Sequence, residues 1–170
     1  EVSLNAFDVL RQFNFDDKLN LNKNKPKLHG TVIVVGAGNV AMDGARCAVR
    51  SGADKTIILY RRDRSEAPCT PSEMKDAEKD GVELKFLSNP VELITKDGKL
   101  SQVKYEVMKL GDLDDSGRRK PVGTGVYETI NADYIISAIG QTPDESVWNA
   151  KVIETDHGYI KASKSYGEAK

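Results

Sequence analysis

Cysteine is scarce in this chain. Cys47 and Cys69 are the only two among 170 residues, and they form no C-x-x-C pair. That excludes a disulfide scaffold and a Cys-ligated iron–sulfur centre within these residues, and it points to a reduced, cytoplasmic setting. Histidine is as rare: His29 and His157, each read as a surface or turn residue, are too few for a His-rich metal site. No apolar run approaches the roughly 20 residues of a membrane-spanning helix, and no secretory leader is legible. A formal net charge of −1 argues against a general nucleic-acid binder. With 39% hydrophobic and 30% charged residues, the composition is that of an ordinary globular protein of one or at most two domains. No repeat or low-complexity segment is present, and the chain opens on Glu1 rather than Met, as an excised piece would.

What is there centres on residues 31–62, TVIVVGAGNVAMDGARCAVRSGADKTIILYRR. Residues 32–35 are an apolar β-branched run, the pattern of a strand buried on both faces. Gly36-Ala37-Gly38-Asn39-Val40-Ala41 follows at once. Residues 41–50 favour helix, Gly52 ends it, and residues 56–60 read as a second strand. Residues 31–60 make a unit of 30 residues, close to the roughly 30 of a βαβ crossover. A dinucleotide carries two phosphates, and a helix N-terminus offers unpaired N–H groups and a positive dipole end. In this reading Gly36 makes the tight turn, Gly38 lets backbone approach the pyrophosphate, and small Ala41 permits close helix–strand packing. The motif alone also fits an ordinary glycine-bearing turn; its flanks favour the nucleotide.

The end of the second strand selects the cofactor. An NAD-type site places Asp or Glu about 20 residues after the glycines, on the ribose. Here Arg61 lies 23 residues past Gly38, in the run Tyr60-Arg61-Arg62. Arginine suits a 2′-phosphate, which it grips with two parallel N–H bonds. A solvated basic loop is the plainer alternative, but charge type and position agree with NADPH.

Elsewhere the spacing predicts a short helix over 5–13, a polar linker over 16–27, and a loop over 63–71. A helix follows from Pro71 to about Lys79, stopped by Gly81, and then a strand over 82–87. Segments 91–95, 102–110 and 126–130 read as a three-stranded antiparallel meander with an Asp97-Gly98 hairpin turn. Segment 111–125, rich in Asp, Ser, Gly, Arg and Pro, reads as a mobile loop. Residues 134–139 return to the parallel sheet, and Gly140-Gln141-Thr142-Pro143 turns the chain at the sheet's carboxyl edge, where ligands bind in open α/β folds. The fold class expected is α/β: a Rossmann-like parallel sheet flanked by helices, with a three-stranded antiparallel β-meander.

GAGNVAMDGAR, YRRDRSEAP, DGVEL, LGDLDDSGRRKPV and ADYIISAIGQTPD occur in this order. Together they resemble the NADPH-binding domain of the glutamate synthase small-subunit-like flavoproteins, over about residues 5–144. That group includes the flavin part of dihydropyrimidine dehydrogenase and proteins assigned as selenate reductases. The resemblance implies an NADPH domain inserted between two halves of an FAD domain. It implies NADPH across Gly36, Ala37, Gly38, Asn39, Val40 and Ala41, its 2′-phosphate at Arg61 and Arg62 with Tyr60 also in the cofactor site, and its nicotinamide end near Ala138, Ile139 and Gly140. The domains implied are 1–30, leading helix and linker; 31–145, NAD(P)-binding; and 146–170, a return segment toward an FAD domain. Where the family carries Met, this chain has Ala67, expected to loosen the loop beside the arginines. Neither a second dinucleotide fingerprint nor an FAD-type Gly-Asp motif is present, so FAD and iron–sulfur clusters belong only to the intact protein. Thioredoxin-reductase-like proteins share the architecture but carry a C-x-x-C that this chain lacks.

Other residues have plain readings beside functional ones. Asp43 is expected to be a first-turn carboxylate that stabilises the helix dipole. Asn39 either caps that helix or touches the cofactor. Arg118 and Arg119 fit a solvated hairpin loop better than a docking surface for a partner subunit. Asp112, Asp114 and Asp115 match no calcium loop, and Gln141 and Pro143 are turn residues or cofactor contacts. The function expected is an oxidoreductase domain that binds NADPH and presents the nicotinamide to FAD held elsewhere on the intact protein, electrons passing onward, with another subunit as acceptor where one exists. No catalytic acid, base or nucleophile is expected in this chain, which alone should be inactive. A non-catalytic NADP(H)-sensing module is the alternative; a methyltransferase is disfavoured by arginine where a ribose carboxylate belongs.

Overall fold

The computed structural model describes residues 3–18, 27–115, 117–140, 155–156 and 159–160. The chain forms two compact units, Glu1–Ile139 and Gly140–Lys170. In the first, β1 (Ser3–Asn5) runs into α1 (Ala6–Lys18), followed by β2 (Thr31–Val35), α2 (Asn39–Arg50) and β3 (Lys55–Leu59). A 3-10 turn (Arg64–Glu66), α3 (Pro71–Lys79) and β4 (Glu83–Lys85) come next, then β5 (Ser88–Lys96), β6 (Lys99–Leu113), β7 (Arg119–Asn131) and β8 (Tyr134–Ser137). In the second unit β9 (Thr155–Asp156) pairs antiparallel with β10 (Tyr159–Ile160).

Five strands form one parallel sheet in the order β1-β8-β2-β3-β4. Val32, Ile33 and Val34 are fully buried because both faces of this sheet are covered. Their side chains alternate as strand geometry requires. Val32, Val34, Ile58 and Ile136 meet the helices, packing with Ala41, Ala45 and Ala48 of α2 and Met74 and Ala77 of α3. Ile33, Ile57, Leu59 and Ile135 point to the other face and pack on Val103 and Tyr105 of the β5-β6-β7 meander. The expected α/β sheet with a separate meander is therefore present, helices on one face and meander on the other.

Three assignments differ from expectation. Residues 3–5 are a strand, not the lead-in to the helix, and α1 runs to Lys18, past the predicted end at 13. Asn5 makes the change of direction: its Oδ1 accepts the Phe7 N–H at 2.8 Å. Segment 111–125 is mostly strand rather than loop, since β6 reaches Leu113 and β7 resumes at Arg119. Its Pro and Gly residues are tolerated because β7 is an edge strand and register shifts interrupt the ladder at Glu106/Met108 and Leu110/Leu113. Asp97 and Gly98 turn the β5–β6 hairpin with φ of 53° and 74°, the expected Asp-Gly geometry. Among the described residues no helix is long and apolar enough to cross a membrane.

The helix layer is tied by an ionic contact. Arg46 of α2 donates from Nε to Asp80 Oδ2 at 2.9 Å, and Arg50 reaches the same oxygen at 2.7 Å. The Arg46 hydrogen bond is the main reason the Asp80 carboxyl is held below its usual value. A carboxyl depressed on folding stabilises the fold above its unfolded pKa of about 3.9, and the contribution is lost as pH falls through the lower folded value. Asp80→Asn should therefore lower stability at neutral pH and flatten the acid limb of the stability profile. Urea unfolding from about pH 7 to about pH 3 checks this, and an acid limb identical to that of the unmodified chain would contradict it.

Candidate functional site

Three loops meet at the carboxyl edge of the parallel sheet. The first leaves β2 at Gly36, whose N–H donates to Leu59 O at 3.0 Å. Gly36 has φ +124°, and a Cβ there would collide with the Ala138 carbonyl oxygen. Glycine is required at this position for packing, before any ligand is considered. Gly38 differs. Its φ is an unstrained −81°, and a Cβ on it would meet nothing within 4 Å. The backbone at Gly38 thus faces open space at the start of α2, as the close approach of a phosphate requires.

α2 begins at Asn39 with Gly38 as its N-cap, and its first turn carries no acidic residue. The expectation that Asp43 occupies that turn is incorrect; it lies one turn further on and is exposed. The positive end of the helix is accordingly not neutralised by its own sequence. Ala37 and Ala41 are buried packing residues, and Val40 is 49% exposed at the helix start. Asn39 gives no side-chain cap to α2. Its Oδ1 instead accepts the Thr70 N–H at 3.0 Å, while Cys69 N–H donates to Ala37 O at 3.1 Å. These bonds fasten the loop after the arginines onto the glycine turn. Asp63 caps the 3-10 turn and Tyr60 Oη donates to Glu66 O at 2.9 Å, so the loop is held in place despite Ala67. Sequence spacing gave no sign of this latch.

The second loop leaves β3 at Tyr60-Arg61-Arg62, and the structure separates these three residues. Tyr60 is buried and supports the loop. Arg61 is exposed, and among the described residues its guanidinium has no acceptor. Arg62 is 5% exposed. Its Nε donates to Arg119 O at 2.8 Å and its Nη2 to Asp114 Oδ2 at 2.8 Å. The sequence reading of two arginines gripping one phosphate thus needs correction: Arg62 is turned inward and spent on the β6–β7 hairpin. A guanidinium taken out of water must have its donors satisfied, and Asp114 and the Arg119 carbonyl do so.

The third loop leaves β8. Ala138 N–H donates to Val35 O at 2.9 Å, which fixes it beside the glycine turn. Ile139 is 77% exposed, and Gly140 has φ +113°. Gln141 and Pro143 lie outside the described residues. β2 is flanked by β3 on one side and β8 on the other, and the chain runs from β2 through α2 to β3. The crevice between β2 and β8 is therefore a topological switch point, the position where open α/β sheets bind nucleotides. Burial pushes both the Cys69 and Cys47 thiols above their ordinary pKa, so neither is an activated nucleophile. Among the described residues no His, Cys, Asp and Glu cluster could hold a metal ion.

Comparison with known proteins agrees with this architecture. The model of the pyridine nucleotide-disulphide oxidoreductase family matches residues 2–168. The beta subunit of the NADP(+)-dependent formate dehydrogenase of Moorella thermoacetica is 44% identical over 84% of this chain and 20% of its own length. The glutamate synthase [NADPH] small chain of Escherichia coli K12 is 38% identical over 71% of this chain and 26% of its own. Among solved structures, Mycobacterium tuberculosis FprA in complex with NADPH superposes with a TM-score of 0.65 at 18% identity, covering 94% of this chain and 50% of that one. The chain thus spans no more than about a quarter of the curated relatives named here. The glycine turn at the switch point, the βαβ unit around it and the match along nearly the whole chain lead to one conclusion: the chain belongs to the pyridine nucleotide-disulphide oxidoreductase family, among relatives that include glutamate synthase small chains.

Proposed function

We propose that this chain binds NADPH at the carboxyl edge of its parallel sheet and presents the nicotinamide for hydride transfer to FAD held elsewhere on the intact protein. One observation carries the reading. The acid-free N-terminus of α2, open at Gly38, and the exposed Arg61 lie at the same sheet edge, on the first and second of three consecutive parallel strands. The residues present fit the cofactor: backbone N–H groups for the pyrophosphate, a guanidinium for the 2′-phosphate, and arginine rather than a ribose-binding carboxylate at position 61. Two relatives, an NADP(+)-dependent formate dehydrogenase subunit and a glutamate synthase [NADPH] small chain, support the same nucleotide.

When bound, NADPH supplies the hydride. The chain's own part is to bind and orient. Gly36, Gly38 and the first turn of α2 receive the pyrophosphate; Arg61 takes the 2′-phosphate. Ala138, Ile139 and Gly140 border the nicotinamide end. The FAD domain of the same full-length protein is the proposed partner, with a further subunit as electron acceptor, and residues 31–145 are the proposed NAD(P)-binding region.

Calorimetric titration with NADPH and NADH, at low and high salt, tests the reading. NADPH should bind more tightly by at least about tenfold, the effect of the Arg61 contact alone, and the preference should shrink as salt rises. The same preparation should be colourless and should not oxidise NADPH with ferricyanide. Equal affinity for the two nucleotides, or no binding of either, would overturn it.

A further inference from the structure

The buried Arg62 has a role the cofactor reading alone does not give it. β5 ends its pairing with β6 at Ser88↔Val107. Beyond that point β6 continues to Leu113, paired only with β7 from Gly123 back to Arg119. Residues 108–113 of β6 and 119–123 of β7 therefore project as a two-stranded ribbon, which is marginally stable without an anchor. Arg62 is that anchor. It bonds Asp114 at one side of the ribbon's end and the Arg119 carbonyl at the other. Asp114 closes the end as well, its Oδ1 accepting the Arg118 N–H at 3.1 Å. The backbone adds a second tie: Leu87 N–H donates to Arg62 O at 2.9 Å and Met108 N–H to Leu87 O at 2.8 Å.

The consequence is positional. Arg62 is the neighbour of Arg61, and its side chain holds the Arg119 backbone at hydrogen-bond distance. Arg119 is exposed, and among the described residues its guanidinium has no acceptor. A buried ion pair adds little net stability compared with apolar packing, but it fixes orientation. We propose that the Arg62–Asp114 pair is a clamp that seats the β6–β7 hairpin against the arginine loop, and that Arg119, so placed, joins Arg61 as the second guanidinium at the 2′-phosphate. This rests on the NADPH reading above. Arg62 is then a positioning residue, and Arg119 takes over the phosphate contact that the sequence alone assigned to it.

The test uses the full chain with Arg119→Gln, Asp114→Asn and Arg61→Ala, each titrated with NADPH and with NADH. Arg119→Gln should weaken NADPH by about fivefold at low salt, the reach of a screened charge contact, and leave NADH unchanged. Asp114→Asn should also weaken NADPH, with NADH affinity and circular dichroism unchanged. That sign is diagnostic, because removing a carboxylate near a phosphate would by charge alone tighten binding. The two changes should be non-additive, since both act through Arg119. Should Asp114→Asn fail to fold, the exposed Arg119→Gln decides. An unaltered NADPH preference in Arg119→Gln, in a protein whose preference Arg61→Ala abolishes, overturns the proposal. So does tighter NADPH binding by Asp114→Asn, which would mean the released Arg62 grips phosphate itself. A chain with no NADPH preference to begin with fails the underlying reading instead.

Discussion

Gly38→Val should abolish NADPH binding and leave the fold standing, whereas Gly36→Ala, a smaller change two residues away, should damage the fold itself. The contrast comes from geometry. Gly38 has φ −81° and ψ 174°, extended backbone open to any residue, and its Cβ position is empty. Valine is a poor helix N-cap, which limits the stability cost to about 1 kcal/mol. What valine fills is the space a pyrophosphate must enter. Hydrogen bonds to a charged group contribute roughly 1.5–3 kcal/mol each. Losing two of them implies about 100-fold or more in affinity. Gly36 has φ +124°, and its Cβ would overlap the Ala138 carbonyl oxygen. Backbone strain there costs about 1–3 kcal/mol, and the overlap pushes β2 away from the β8 loop in addition. Urea unfolding and NADPH calorimetry on both variants separate the two roles. A Gly38→Val protein that binds NADPH normally would move the ligand away from this turn. A Gly36→Ala protein of unchanged stability would show that the Ala138 loop yields.

How much of this was legible in the sequence depends on distance along the chain. The βαβ unit was fully legible: a β-branched run, a glycine turn and an alanine-rich helix are local patterns, and residues 31–60 fold as they read. α3 was legible for the same reason, with Thr70 capping it and Pro71 at its first turn. β1 was not. Ser3–Asn5 is too short for its alternation to signal a strand, and it is one because β8, far along the chain, offers an edge. The β6–β7 arms were hidden by composition: Asp, Gly and Pro read as loop, yet an exposed two-stranded ribbon tolerates them. At the candidate site, the glycines fall in the turn between β2 and α2 as their spacing predicted, but the arginine pair could not be divided. Arg61 and Arg62 are chemically identical, and what separates them is Asp114, 52 residues away.

That division has the second large consequence. Arg61→Ala and Arg62→Ala should fail in different ways. Arg61 is exposed and unpaired among the described residues, so its loss should leave stability unchanged within about 0.5 kcal/mol. NADPH affinity should fall about tenfold at low salt while NADH, which has no 2′-phosphate, binds as before. Arg62 is buried against Asp114 with side-chain exposures of 6% and 20%. Removing it takes the Arg62 guanidinium from a partly buried carboxylate, and losing one partner of a buried pair costs about 3 kcal/mol. Asp114 is not fully shielded, so the lower end of that range applies. Arg62→Ala should therefore unfold at markedly lower urea concentration and loosen the β6–β7 hairpin, read as faster amide exchange at Met108 and Leu110. Arg62→Lys should recover only part of the loss, because an ammonium cannot reach both Asp114 and the Arg119 carbonyl with the planar fork of a guanidinium. Equal stability of the two alanine variants, with equal loss of NADPH preference, would return both arginines to the phosphate and dissolve the clamp.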